Sequence, residues 1–146
     1  MSNSFISTYQ NELIACVDNA VIEDLGKMGD HTSKAIFPKG HTSKAQLVSR
    51  GDGVLAGVAF CEFVLQRHGQ GVSLIPVVVD GATFSKGELL FYLEGDTKTI
   101  LSLERLMLNA VQRMSGIASL TSKVQERIGH TNCKVLDTRK TTPNFR

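Results

Sequence analysis

The sequence predicts an α+β fold, and three observations lead to that class. Apolar residues recur at helical spacing near the N-terminus, period-two alternation follows in segments between residues 42 and 96, and a helical pattern fills residues 97–128. The chain has 146 residues, of which 42% are hydrophobic and 21% charged, with a net charge of +2. These values are typical of a folded, soluble protein, because disordered chains lack aliphatic residues spread along their whole length.

A helix is predicted over residues 5–22, where the apolar side chains share one face and Ser4 can cap the start. The members of that face are Phe5, Ile6, Tyr9, Leu13, Val17 and Ala20. Residues 23–40 are rich in Gly, Asp, Thr and Ser and end in Pro38, Lys39 and Gly40. That composition predicts a connecting loop.

The first strand is predicted from Thr42 onward, because apolar and polar residues alternate there. Ala45 and Leu47 share one face of this strand. Gly51 and Gly53 follow it closely, and this spacing predicts a hairpin turn.

The middle of the chain predicts a helix and then further strands. Residues 58–68 return to helical spacing and stop at Gly69. The β-branched run over residues 72–81 predicts a strand, and residues 83–96 repeat the order strand, glycine turn, strand.

The longest predicted element is a helix over residues 97–128, which would span about 45 Å. Gly116 is expected to kink or divide it, and Gly129 stands where a C-terminal cap belongs. Its apolar face comprises Ile100, Leu103, Met107, Ala110, Val111, Met114, Ala118, Thr121, Val124 and Ile128. Residues 133–139 predict a short strand with no sheet to pair with, so we expect a fragment whose next domain is missing.

The charge is distributed unevenly along the chain. Residues 1–113 carry 10 basic and 12 acidic side chains, whereas residues 114–146 carry 6 basic and 2 acidic ones. This basic end suits small polyanions as well as nucleic acid. No run of about 18 apolar residues occurs, and the N-terminus lacks the basic start and apolar block of a secretory signal. We therefore expect a cytoplasmic protein without membrane contact.

Several familiar motifs are not supported. The GDGVLAG segment has the spacing G-x-G-x-x-x-G, which differs from that of a dinucleotide-binding loop. His130 and Cys133 are only two of the four ligands that a zinc site needs, and Cys16, Cys61 and Cys133 are expected to be reduced thiols. No Ser or Cys stands in a nucleophile elbow. Lys86 fits a structural turn better than a biotinyl or lipoyl attachment site.

The segment D-T-R-K-T-T-P, residues 137–143, is the candidate binding element. It places Arg139, Lys140 and three hydroxyl groups within a few residues. The planar Arg fork matches a carboxylate, the Lys supplies a point charge, and hydroxyls donate to phosphate. On this chemistry alone, a polyanion site and a solvated basic turn are equally good interpretations.

Five segments follow one another in a recognisable order: EDLGKMGDHTS, GVLAG, LEGD, LERLMLNAVQRMSGIAS and LDTRKTTPNFR. In this order they resemble quinolinate phosphoribosyltransferase, also called carboxylating nicotinate-nucleotide pyrophosphorylase, over nearly the whole chain. The patterns ER-x-x-LN-x-x-x-x-x-SGIA and DTRKTTP are specific when they occur together.

The resemblance implies a pentosyltransferase, a glycosyltransferase of de novo NAD synthesis. Quinolinate would displace pyrophosphate from phosphoribosyl pyrophosphate, with Mg²⁺, and lose its 2-carboxylate as CO₂ to give nicotinate mononucleotide. Both substrates are polyanions, which agrees with the basic C-terminal end. The Mg²⁺ ligands are expected downstream of this chain, so that the fragment would be inactive alone.

The resemblance also assigns roles to individual residues. Thr138, Arg139 and Lys140 would line the quinolinate site, where Arg139 and Lys140 neutralise the two carboxylates. Arg105, in the ER pair, would reach the active site of the neighbouring subunit, which implies a homodimer or higher homo-oligomer. Its place on the polar side of the long helix leaves it free to point at a partner. Asn144 and Phe145 stand where the family usually has Gly and a Leu-like residue, with a small effect expected on the turn.

The fold implied by the resemblance is an open α/β sandwich, hammerhead-like, over residues 1–113. Residues 114–146 would form the entry helix and first strand of a truncated α/β barrel. Two alternatives stay open: a related phosphoribosyltransferase-like paralogue of the molybdenum-transport type, and a non-catalytic binding module. The full TRKTTP run favours quinolinate. Nucleic acid is a weaker candidate, because no aromatic and basic residues interleave on one surface.

Overall fold

The computed structural model of the protein describes residues 7–141 and confirms the α+β class. The helices are α1 (Gln10–Leu25), α2 (His31–Ile36), α3 (Val58–His68) and α4 (Thr97–Ile128). The strands are β1 (Thr42–Val48), β2 (Gly53–Val54), β3 (Val72–Pro76), β4 (Thr83–Phe84) and β5 (Leu89–Asp96). No helix within residues 7–141 combines the length and the apolar character that crossing a membrane requires.

Helix α1 corresponds to the first predicted helix but ends three residues later than residue 22. The extra residues, 23–25, include Glu and Leu, which are good helix formers. The helix stops at Gly26, whose φ of 56° favours glycine. Val17 is fully buried and anchors α1 to the core. The predicted cap Ser4 and the first apolar residues, Phe5 and Ile6, lie outside the described residues.

The prediction of an uninterrupted loop over residues 23–40 is wrong, because α2 lies within it. Asp30 caps this six-residue helix, and its carboxylate accepts a hydrogen bond from the backbone N–H of Ser33 at 3.0 Å. Lys34 donates from Nζ to the carbonyl of Met28 at 2.7 Å and closes the preceding turn. A helix this short has too few turns to show an apolar period, so composition alone suggested a loop.

Strands β1, β5 and β3 form an antiparallel sheet in the order β1-β5-β3. The predicted alternation in β1 is confirmed, because Ala45 and Leu47 are half-buried and their neighbours are exposed. Helices α3 and α4 pack against the sheet on the side of these residues. The row Gln46, Tyr92 and Ile75 crosses the other side, where Gln46 and Ile75 are exposed. The sheet thus has one covered and one open face, as in an open sandwich.

The hairpin predicted at Gly51 and Gly53 is not formed. Strand β1 pairs with β5, whereas β2 pairs with β4 in a separate two-stranded sheet, Gly53 opposite Phe84. The same separation applies to residues 83–96, since β4 and β5 join different sheets. The glycine segment is therefore a crossover between sheets, for which period-two alternation gives no signal.

Helix α3 forms as predicted over residues 58–68 and lies at the centre of the core. Its first N–H groups, those of Val58 and Ala59, donate to the carboxylate of Asp80 at 2.9 and 3.2 Å. Cys61 is fully buried on this helix, and burial raises the pKa of its thiol to about 12. Cys61 is therefore a core residue with an unreactive thiol.

Helix α4 is one continuous helix over the predicted residues 97–128, and Gly129 is its C-cap as expected. Gly116 does not divide it. A glycine inside a helix costs only about 1 kcal/mol relative to Ala, which tertiary packing of the neighbouring turns offsets. Of the predicted apolar face, Ile100, Leu103, Met107 and Val111 are buried, whereas Val124 is 42% exposed. The last three turns therefore extend beyond the core.

The short strand predicted over residues 133–139 is wrong, since residues 129–141 contain no strand. They follow α4 as an exposed tail, tied back by hydrogen bonds from Thr131 N to Ile128 O and from Val135 N to Gln125 Oε1. A strand needs an edge to pair with, and no strand among the described residues reaches this segment. Asn144 and Phe145 lie outside the described part of the chain.

Candidate active site

The start of α4 is fixed from two sides. The Asp96 carboxylate accepts hydrogen bonds from the backbone N–H and the hydroxyl of Thr99, at 2.9 and 2.8 Å. These bonds, the backbone one first, lower the pKa of Asp96. The buried Thr97 hydroxyl lies 2.8 Å from His41 Nδ1 and 2.6 Å from Ser43 Oγ. The first turn of α4 is thereby locked to strand β1 and to the residue that precedes it.

Arg105 follows two turns further along α4, on the polar side predicted from the sequence. Its side chain is 73% exposed. The guanidinium does not extend freely into solvent, however, because Nη1 donates to Oδ1 of Asp24 on α1. One of its donors is thus used inside the chain, and its reach into a neighbouring subunit stays a prediction.

Thr138, Arg139 and Lys140 lie in the exposed tail beyond α4. The backbone N–H of Lys140 donates to Thr138 Oγ1 at 3.2 Å, so the threonine side chain closes a local turn around Arg139. Both basic side chains are exposed. The tail offers two cations on a short polar turn, as the sequence predicts, without the strand that was expected to carry them.

The structure does not bring the predicted site residues together within one chain. Arg105 and Gln125 are separated by about 30 Å of helix, and the tail folds back only as far as Gln125. Among residues 7–141, no hydrogen bond or ion pair joins Arg105 to Thr138, Arg139 or Lys140. Arg105 and the tail cations are therefore separate groups in the chain.

The SGIAS segment has a structural role that sequence reasoning missed. Ser115 accepts a hydrogen bond from Ala56 N at 3.0 Å and donates to Ala56 O at 3.1 Å. Ser119 accepts from Val54 N at 2.8 Å and donates to Ser115 O. These serines attach the backbone of GVLAG to α4. Their spacing of four residues, which places both on one helix face, was the available signal.

A second ion-pair cluster joins α1 to the end of α3. Asp18 accepts from Nε and Nη2 of Arg67, both at 2.5 Å, and lies 2.7 Å from His68 Nε2. The hydrogen bond from Arg67 is the main cause that lowers the pKa of Asp18 to about 2. The cluster therefore ties α1 to the C-terminal end of α3.

A groove of about 940 Å³ lies between β1, β5 and α4. Its walls are mainly apolar and include Leu47, Phe91 and Leu108, with Arg50 and Glu104 also lining it. None of the predicted site residues lines this groove. The groove is therefore distinct from the candidate polyanion residues.

The described residues lack the ligands that a divalent cation requires. Within residues 7–141, no three His, Cys, Asp or Glu side chains lie close enough together to hold a metal ion. Mg²⁺ binds chiefly through carboxylates, substrate phosphates and water. The residues that the structure describes therefore do not fit a Mg²⁺ site.

Comparisons with known proteins identify relatives of this chain. Residues 30–115 match the family model described as quinolinate phosphoribosyl transferase, N-terminal domain. The chain is 35% identical over 135 residues to a probable carboxylating nicotinate-nucleotide pyrophosphorylase of Bacillus subtilis, covering 92% of this chain and 46% of the relative. It is 40% identical over 118 residues to a protein of the same description from Methanothermobacter thermautotrophicus, covering 80% and 42%.

Solved structures give the same result. The crystal structure of NadC from Streptococcus pyogenes matches with a TM-score of 0.83 and 33% identity, covering 95% of this chain and 49% of that one. The nicotinate-nucleotide pyrophosphorylase from Francisella tularensis matches with a TM-score of 0.84 and 28% identity, covering 92% and 47%. The chain thus spans about half the length of the relatives it matches.

Proposed function

This chain belongs to the quinolinate phosphoribosyltransferase family, and we propose that it is the N-terminal half of an enzyme that transfers a phosphoribosyl group from phosphoribosyl pyrophosphate to quinolinate. The observation that carries the proposal is the family match over residues 30–115, which includes Arg105 on α4. The exposed cations of the tail support the same substrate class, because quinolinate is a dianion.

The reaction needs alignment and charge placement more than covalent help from the protein. The pyridine nitrogen forms a bond to the anomeric carbon of ribose while the bond to pyrophosphate breaks. The 2-carboxylate then leaves as CO₂, and a proton takes its place on the ring. Cations that already lie beside the quinolinate carboxylates orient the ring for reaction. Because they are in place beforehand, they need not rearrange when charge develops in the transition state.

The tail residues supply two of these cations in the proposed site. Arg139 offers a planar fork to one carboxylate and Lys140 a point charge to the other, while Thr138 closes the turn around Arg139. When bound, Mg²⁺ would neutralise pyrophosphate charge. We assign its ligands to a part of the enzyme outside this chain, because the described residues offer no group for it.

We further propose that Arg105 serves the active site of a neighbouring subunit in a homodimer or higher homo-oligomer. Within residues 7–141, Arg105 forms no hydrogen bond or ion pair with Arg139 or Lys140, and most of its side chain is exposed. Residues 1–113 would then form the N-terminal unit, and residues 114–146 would lead into an α/β barrel. Because α4 runs through residue 113 without a break, the two parts would share a rigid helix. A cytoplasmic location stays a prediction from the sequence.

Binding and product analysis test the proposal together. Quinolinate would be titrated into the 146-residue chain and into a version that carries the C-terminal half found in the relatives. Only the longer version should bind, because the chain alone lacks most of the proposed site. The longer version should convert quinolinate, and not nicotinate, to nicotinate mononucleotide with release of CO₂. Conversion of nicotinate instead would contradict the proposed substrate, and absence of both reactions would favour a binding module.

A further inference from the structure

The contact between Asp24 and Arg105 adds a feature to the proposed site. Asp24 is the penultimate residue of α1, and its Oδ1 accepts from Nη1 of Arg105 on α4. The Asp24 side chain is 20% exposed and that of Arg105 is 73% exposed. The carboxylate is mostly enclosed, and the guanidinium extends from it toward solvent.

A comparison of two arginines in this chain shows how differently their donors are used. Arg67 donates from both Nε and Nη2 to Asp18, so that its bidentate edge is fully occupied. In the part of the chain that the structure describes, Arg105 donates to Asp24 from Nη1 alone. The edge formed by Nε and Nη2 of Arg105 therefore remains available for the two oxygens of a carboxylate.

Both ends of the Asp24–Arg105 contact stand on rigid supports. Helix α1 is anchored by Val17, which is fully buried, and α4 by Leu103 and Met107, which flank Arg105 and are 3% and 2% exposed. The two helices are packed against each other. An arginine side chain otherwise samples many rotamers, and Asp24 restricts them from a fixed position.

We infer that Asp24 is a positioning residue, which orients the Arg105 guanidinium for a carboxylate of quinolinate. This inference rests on the proposed function, in which Arg105 binds quinolinate in the neighbouring active site. Holding the guanidinium before the ligand arrives reduces the conformational freedom lost on binding. Asp24 also offsets part of the positive charge of Arg105, an effect that would weaken attraction to a dianion. Positioning and charge compensation thus change the KM for quinolinate in opposite directions.

Steady-state kinetics of the full-length enzyme separate these effects. Asp24→Ala removes the acceptor, whereas Asp24→Asn removes the charge and keeps a carbonyl acceptor. We expect Asp24→Ala to raise the KM for quinolinate about threefold to tenfold. The KM of Asp24→Asn should lie between those of wild type and Asp24→Ala. The kcat and the KM for phosphoribosyl pyrophosphate should change less than about twofold. Asp18→Ala, which breaks the other ion pair of α1, should lower the Tm without changing the KM for quinolinate.

A double-mutant cycle completes the test. Asp24→Ala combined with Arg105→Ala should match Arg105→Ala alone, because Asp24 acts through Arg105. A KM that Asp24→Ala leaves unchanged or lowers, or effects that add in the double variant, would overturn the positioning role while leaving the proposed function intact. An unchanged KM for quinolinate in Arg105→Ala would instead refute the assignment of Arg105 itself, and the role of Asp24 with it.

Discussion

Ser115 and Ala56 exchange two hydrogen bonds across 59 residues of sequence: the serine hydroxyl accepts from the Ala56 N–H at 3.0 Å and donates to its carbonyl at 3.1 Å. Ser115 is 8% exposed, so water has little access to these groups. One side chain thus satisfies both backbone groups of a residue between β2 and α3. This arrangement connects two of the segments by which the family is recognised.

Replacing Ser115 should destabilise the chain. Ser115→Ala leaves the N–H and the carbonyl of Ala56 without their partner, and we expect a loss of about 1–3 kcal/mol in the free energy of unfolding. Urea denaturation of the 146-residue chain measures it. Ser122→Ala, at an exposed position of the same helix, is the matched control and should stay within about 0.5 kcal/mol. Equal stabilities of the two variants would contradict the importance of this contact.

Gly95 should tolerate no side chain. Its φ is +143°, and a Cβ there would lie 1.9 Å from the carbonyl oxygen of Gly71 and 2.8 Å from Cα of Val72 on the neighbouring strand. We expect Gly95→Ala to cost more than about 3 kcal/mol or to prevent folding. Gly51→Ala is the control, because a Cβ at Gly51 meets open space. Circular dichroism during thermal unfolding compares the two variants. A Tm near wild type for Gly95→Ala would be inconsistent with the close approach of the Gly71–Val72 backbone to Gly95.

The Asp18 cluster predicts a specific loss of stability in acid. The hydrogen bond from Arg67 lowers the pKa of Asp18 to about 2, from an ordinary value of 3.8. A carboxylate with a lowered pKa in the folded state stabilises that state above its ordinary pKa and loses the effect as the pH falls through the lowered one. The Tm advantage of wild type over Asp18→Asn should therefore be constant above about pH 5 and shrink between pH 3.8 and about 2.

The pH series needs one further variant, because other carboxylates titrate in the same range. Asp137→Asn, in the exposed tail, should follow the wild-type Tm at every pH. A difference between wild type and Asp18→Asn that persists unchanged down to pH 2 would show that the Asp18 charge does not stabilise the fold.

Lys140 is predicted to be essential for turnover in the full-length enzyme. Lys140→Ala removes one of the two cations proposed to neutralise quinolinate, and kcat/KM should fall by about 10² to 10³. Lys134→Ala removes an equally exposed charge from the same tail and should leave kcat/KM near wild type. If both variants lose activity to the same extent, the effect reflects overall charge rather than a specific site.

The parts of this fold that the sequence predicted are those determined by local patterns. Helices α3 and α4 have the predicted bounds because their apolar periods end at Gly69 and Gly129. Helix α2 was missed, since its six residues depend on the Asp30 cap rather than on an apolar face. The pairing of β2 with β4 was also missed, because alternation defines the faces of a strand but not its partner.

The residues of the candidate site were also predicted only in part from the sequence. The exposed cations Arg139 and Lys140 were identified from their chemistry and from the resemblance, because they are consecutive. Asp24 was not identified, although it lies in a segment used for the resemblance. Its partner Arg105 is 81 residues away, and only the packing of α1 against α4 brings the two together.

Because α4 is continuous, insertions and deletions within it should disrupt the fold. Each residue added to a helix turns everything after it by about 100°. An insertion between Arg105 and Ser115 would rotate both serines away from the backbone of GVLAG while Arg105 stayed beside Asp24. Substitutions at exposed positions of this helix other than Arg105 should be tolerated, whereas changes in its length should not. We therefore expect insertions and deletions to accumulate in the loops instead.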